Sequence, residues 1–136
     1  MKNSPLVLVV DDNEAGLLLA RSVLELDGFR VDSASSSEEV LASLKVRAPD
    51  LILMDVQLPG QNGLALTRQL KADPATTAIP IVALTANAMT GEREQALAAG
   101  CSGYISKPIN TRTLTAQLTE FLPPEPVEAG VPELPR

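Results

Sequence analysis

Short, almost unbroken runs of Val, Ile and Leu alternate along this chain with stretches in which apolar residues return every three or four positions. A continuous apolar run is the pattern of a strand buried on both faces, and the wider spacing is that of a helix with one buried side. The runs at 6–10, 50–54 and 79–84, and the shorter or more mixed segments 29–34 and 103–106, therefore read as strands. Ala15, Leu19, Val23 and Leu26 place a helix over 14–27, with Asn13 or Asp12 able to cap its start and Gly28 its end. Ser36 followed by Glu39 makes a capping box for a helix over 38–47, closed by the Ala48-Pro49 step. Residues 57–63 hold Pro59, Gly60, Asn62 and Gly63, so they read as a turn-rich loop before a helix that carries Leu66 and Leu70 and ends at Asp73-Pro74. A weaker, Ala-rich helix over 91–99 stops at Gly100. Asn110 can cap a last helix with Leu114, Leu118, Phe121 and Leu122 on one face.

This alternation predicts an α/β fold of the (βα)5 kind around a buried parallel sheet. In such a sheet the carboxyl ends of the strands all point the same way and form one crevice. Here they run into Asp11 and Asp12, into Asp55, into Thr85, and into Lys107 and Pro108. Three carboxylates, a hydroxyl and an ammonium are thus expected to converge. Past residue 122 the pattern stops: five of the chain's eleven prolines fall within 123–136, which reads as a disordered or extended tail or linker after a single domain over 1–122.

Composition narrows the chemistry. Hydrophobic residues make up 45% of the 136, enough for one ordinary core, while aromatics are 2%, so the core is aliphatic and base-stacking platforms are missing. The net charge of -6 argues against binding a phosphate backbone directly and suits a divalent cation better. Cys101 is the sole cysteine and reads as a small buried apolar residue; with no disulfide possible, the expected setting is reducing and cytoplasmic. No apolar stretch nears the roughly 20 residues that span a bilayer, and residues 1–5 are too short and polar for a secretion signal. Histidine is absent, which leaves carboxylates, hydroxyls, amines or a hard metal to do any chemistry.

An Asp-Asp pair at a strand-to-helix junction ordinarily caps the helix. Asp55 changes that reading. Two carboxylates about 4 Å apart repel by about 4 kcal/mol at an effective dielectric of 20, so three ionised together need a cation. Magnesium fits, since it takes a few carboxylate or carbonyl oxygens and fills its remaining positions from water and phosphate; the Gln57 carbonyl is placed to add one ligand. Taken alone, Thr85 is a strand end and Lys107 a solvated side chain. Together with the acids they suit phosphoryl transfer, with Asp55 as nucleophile, magnesium and Lys107 neutralising phosphoryl oxygens, and Thr85 donating a hydrogen bond.

The segments Val-Val-Asp11-Asp12, Leu-Met-Asp55-Val-Gln-Leu-Pro-Gly, Ala-Leu-Thr85-Ala and Tyr104-Ile-Ser-Lys107-Pro108 resemble the receiver domain of two-component response regulators, over about residues 5–122. The stretch from Thr85 to Glu92 and Ile-Ser-Lys-Pro-Ile are most similar to receivers of hybrid sensor kinases and single-domain regulators of the DivK type. The resemblance implies a doubly wound, CheY-like sheet in the order 2-1-3-4-5. It implies that Asp55 accepts a phosphoryl group from a phosphohistidine of a kinase or phosphotransfer protein, and that Asp11, Asp12, Asp55 and Gln57 hold the magnesium. Thr85 would move toward the phosphorylated acid, Tyr104 would turn inward behind it, Lys107 would contact the phosphoryl oxygens, and the Lys107-Pro108 bond would be cis. Gln57 and Asn87, at the family's variable positions, are uncharged and add no acid or base to hydrolysis.

The sequence thus points to a phosphorylatable switch whose output is protein binding on the face of the fourth helix, fifth strand and fifth helix. No output domain follows residue 122, so the expectation is that it signals by docking or is a piece of something larger. Two rivals share these residues. A magnesium-dependent phosphatase with an aspartyl-phosphate intermediate would need a second acid just after Asp55, where Val56 and Gln57 stand. A scaffold receiver that works without phosphorylation would not need the acids, threonine and lysine all intact.

Overall fold

The computed structural model describes residues 5–58, 62–86 and 91–122. Five strands, β1 (Leu6–Val10), β2 (Arg30–Ala34), β3 (Leu51–Asp55), β4 (Ile81–Thr85) and β5 (Gly103–Ser106), form one parallel sheet in the order β2-β1-β3-β4-β5. Each is followed by a helix: α1 (Glu14–Leu26), α2 (Ser37–Val46), α3 (Gly63–Ala72), α4 (Glu92–Ala99) and α5 (Leu114–Thr119). The expected doubly wound architecture is the one observed.

Alternate residues of the continuous apolar strands serve opposite faces. Leu8, Val10, Ile52, Met54, Ile81 and Ala83 pack with Val40 of α2, Leu66 and Leu70 of α3 and Ala96 of α4. Their neighbours Val7, Val9, Leu51, Leu53, Val82 and Leu84 pack with Ala20 and Leu24 of α1 and Leu114 and Leu118 of α5. Two aliphatic layers therefore clamp the four strands that follow β2 in the sheet order, whose polar side chains gather at their ends, while the edge strand β2 carries Arg30, Asp32 and Ser33 along its length.

Local chemistry sets the element ends. The Asn13 side chain, not that of Asp12, caps α1 by accepting from the Gly16 N–H at 3.0 Å, and Gly28 leaves the helix at φ +92°, a left-handed geometry that favours glycine. At α2 the Ser36 hydroxyl accepts from the Glu39 N–H at 3.2 Å, but the Glu39 carboxylate reaches back one residue further than a capping box requires, to the Ser35 N–H at 2.7 Å. Strands β3 and β4 each run one residue beyond the apolar stretch, taking Asp55 and Thr85 into the ladder. Strand β4 also begins at Ile81 rather than at 79, because Pro80 has no N–H to give. Gly63, read above as loop, is the first residue of α3 behind the Asn62 cap.

The last helix is shorter than its apolar spacing suggests. The Asn110 side chain accepts from the Arg112 N–H at 2.9 Å and its carbonyl from Thr113 and Leu114, so it organises a turn before α5 instead of capping the helix itself. Phe121 and Leu122 lie past the end of α5 yet pack on the same core layer. Residues 123–136, expected to be a tail or linker, lie outside the described residues, as do Pro59, Gly60 and Asn87. No helix among the described residues is long and apolar enough to cross a membrane.

Phe121 is seated where β5 has no side chain: a Cβ on Gly103 would fall 2.4 Å from its ring. Gly103→Ala is expected to cost about 1–3 kcal/mol through overpacking, read as a lower urea midpoint with an unchanged slope.

Candidate functional site

The carboxyl ends of β1, β3, β4 and β5 bring the polar residues together. Asp11, Asp12 and Asp55 each present an oxygen within 4.8 Å of the others, the one such acid cluster among the described residues. Asp11 and Asp55 are only 2% and 3% exposed, whereas Asp12 faces solvent. The Lys107 ammonium lies 3.1 Å from Asp55 Oδ2 and 3.5 Å from Asp11 Oδ2, so it bridges the two buried acids.

Each of the two buried acids is held by backbone as well. Asp11 Oδ1 accepts from the Asn13 N–H at 2.9 Å and Asp55 Oδ1 from the Gln57 N–H at 3.0 Å, which fixes both carboxylates and leaves their Oδ2 atoms to share Lys107. Gln57 is itself exposed. Burial is the main force that pushes Asp55 up to about 6, aided by the neighbouring Asp11 and opposed by the Gln57 N–H and Lys107. Burial pulls Lys107 down, but Asp55 and Asp11 outweigh it and hold the ammonium above the ordinary lysine range. The Lys107-Pro108 peptide is cis, and the Lys107 N–H donates to the Thr85 carbonyl at 2.7 Å, tying the ends of β4 and β5 together.

Thr85 is buried, and its hydroxyl donates to the carboxylate of Glu92 in the first turn of α4. Tyr104 is half-buried at the side of this helix with the Arg93 guanidinium 5.7 Å from its ring centre. Two contributors were not anticipated from sequence. Glu92 stands seven positions beyond Thr85, and only its place in the first turn of the next helix marked it. Gly63 was visible as a glycine but not as a packing requirement: its N–H donates to the Val56 carbonyl at 2.8 Å, and a Cβ there would lie 2.0 Å from the Asp55 carbonyl oxygen. The start of α3 can approach the Asp55 backbone this closely only without a side chain.

The donor set fits a hard divalent cation. Three carboxylates, each able to offer one oxygen, converge beside the Lys107 ammonium, and among the described residues no histidine or cysteine joins them.

A doubly wound parallel sheet that gathers an acid cluster, a threonine and a lysine at its carboxyl edge is the architecture of a phosphoacceptor switch. The profile of the response regulator receiver domain matches residues 7–119. The polar-differentiation response regulators DivK of Brucella ovis and Brucella melitensis are 40% identical over 116 residues, covering 85% of this chain and 94% of their own. The chemotaxis response regulator CheY4 of Vibrio cholerae superposes with a TM-score of 0.82 at 27% identity, over 88% of this chain and 99% of its own. The receiver domain of the Pseudomonas aeruginosa sensor histidine kinase PA1611, solved with a magnesium ion coordinated in its active-site cleft, superposes with a TM-score of 0.79 at 33% identity, over 87% and 97%.

The chain belongs to the response regulator receiver domain family. It is a phosphoacceptor signalling switch of two-component systems, of a class that binds magnesium at its acidic pocket and works with histidine kinases or phosphotransfer proteins and downstream targets. Members of this class are signalling switches and generally not classical enzymes.

The raised Asp55 makes a prediction of definite sign. A carboxyl whose folded pKa is about 6 against an ordinary 3.8 makes the fold lose stability as pH rises between those values. Asp55→Asn removes the buried charge at constant shape. Without divalent cations at pH 7 it is expected to unfold about 1–3 kcal/mol later than wild type, the gap closing by pH 4, as followed by thermal unfolding at both pH values.

Proposed function

We propose that Asp55 is the phosphoacceptor of this switch. A carboxylate oxygen of Asp55 forms the new O–P bond as the N–P bond of a phosphohistidine donor breaks, and the departing imidazole takes its proton from solvent. The observation that carries the reading is the position of Asp55: nearly buried, within 4.8 Å of both other acids and 3.1 Å from Lys107. Asp11, Asp12 and Asp55, with the Gln57 carbonyl, would hold magnesium, which when bound supplies positive charge against the phosphoryl oxygens. Lys107 already sits on Asp55 and passes to those oxygens without crossing the pocket.

The signal leaves through Thr85. Its hydroxyl is engaged by Glu92, so donating to a phosphoryl group on Asp55 requires that bond to be given up, which releases the first turn of α4. That turn has a glycine cap in the left-handed region and no side-chain cap hydrogen bond. Tyr104 then turns inward from under Arg93, and the face of α4, β5 and α5, where Leu97 is 46% exposed, changes for a downstream protein. We assign the receiver domain to residues 1–122, 123–136 to a tail or linker, and the setting to the cytoplasm, on the lone buried cysteine and the family's partners.

A small phosphodonor such as acetyl phosphate with magnesium is expected to add one phosphoryl group to wild type and none to Asp55→Asn, measured by intact mass. Modification that persists in the variant would remove Asp55 from its role. Glu92→Gln is expected to weaken the hold on Thr85 and raise the fraction in the phosphorylated-like state at subsaturating acetyl phosphate by about fivefold, equal to about 1 kcal/mol of lost hydrogen bonding. Tyr104, the chain's one tyrosine in the absence of tryptophan, reports this by its fluorescence.

A further inference from the structure

Gly16 stands in the first turn of α1, where its N–H is bonded to the Asn13 cap and where glycine weakens the helix relative to alanine. Its φ is not in the left-handed region, so backbone geometry does not call for glycine. The surroundings do. A Cβ at this position would fall 2.8 Å from Asp11 Oδ2 and 3.5 Å from its Cγ, closer than a methyl group and a carboxylate oxygen can approach.

Asp11 has little freedom to give way. Its Oδ1 is bonded to the Asn13 N–H at 2.9 Å, its Oδ2 faces Lys107 at 3.5 Å, and the residue is 2% exposed. A side chain at 16 would swing Oδ2 off the helix and into the space shared with Asp55 and Lys107. We propose that Gly16 is a positioning residue for the acid cluster: the missing side chain leaves the α1 terminus open so that Asp11 can keep the orientation in which its carboxylate converges with Asp12 and Asp55 on a divalent cation. The inference rests on the magnesium reading of the cluster and adds to it a residue that touches neither cation nor phosphoryl group and acts through Asp11.

The test is a double-mutant cycle on the full chain, with magnesium chloride titrated against backbone amide NMR shifts and with thermal unfolding in its absence. Gly16→Ala is expected to bind magnesium about tenfold more weakly, the scale seen when a group supporting a metal ligand is lost, while the metal-free protein unfolds at the same or a higher temperature. A residue that only supported the helix would move the two readouts together. In an Asp11→Ala background, where no carboxylate stands in the way, Gly16→Ala is expected to change magnesium affinity by less than about twofold.

Unchanged affinity in the single variant overturns the proposal, and so does a loss that persists in full without the Asp11 carboxylate. If Gly16→Ala alone does not fold, recovery of folding in the Asp11→Ala, Gly16→Ala double variant supports the clash, and failure to recover overturns it. Because magnesium binding is read directly, the result stands apart from phosphorylation. Wild type that binds magnesium but is not modified at Asp55 would defeat the phosphoacceptor assignment and leave the Gly16 comparison intact.

Discussion

The repulsion between acids gathered at one end of the sheet is the constraint on which the other features of this molecule depend. Asp11 and Asp55 are almost wholly removed from water and lie with Asp12 within a span of 4.8 Å. At that separation each pair of ionised carboxylates costs a few kcal/mol, and burial adds to the cost. Lys107 meets part of it by bridging the two Oδ2 atoms, and backbone N–H groups of Asn13 and Gln57 meet more at the Oδ1 atoms. The remainder favours the uptake of a divalent cation. The site is unfinished by design of its charges, and the aliphatic layers on both sides of the sheet supply the stability that lets it remain so.

Much of this was legible in the sequence because strands buried on both faces have an unmistakable pattern. Runs such as Leu6–Val10 and Leu51–Asp55 cannot be placed anywhere but the interior, and once parallel they deliver the residues that follow them to a common edge. The pattern alone thereby brings the acid cluster, Thr85 and Lys107 together. Strand order was another matter: alternation of strands and helices does not distinguish the possible orders, and 2-1-3-4-5 came from resemblance to a family.

What escaped the sequence depends on contacts between elements rather than periodicity along them. Phe121 keeps the apolar spacing of α5 but packs from a turn past its end, because Gly103 offers it a seat from the neighbouring strand. Glu39 satisfies Ser35 instead of completing a reciprocal bond with Ser36, a difference of one residue that no pattern encodes. Glu92 reaches Thr85 only because α4 returns to the end of β4. Gly63 and Gly16 are the clearest cases, since what matters at each is the atom that would occupy the space of a missing side chain.

The hydrogen bond from the Lys107 N–H to the Thr85 carbonyl has a consequence for time. The group proposed to meet the phosphoryl charge and the group proposed to carry the response sit at the tied ends of two neighbouring strands, so nothing large would have to travel between them. On the proposed roles, what would move is a hydroxyl, a ring and the start of one helix, on scales of picoseconds for side chains to microseconds for a loop. A covalent phosphoryl bond outlasts such motions by many orders of magnitude. If Thr85 and Tyr104 act as proposed, a docking partner would sample an average over a great many of their rotations and would read the phosphorylation state as a bias in a fast equilibrium rather than as a single event.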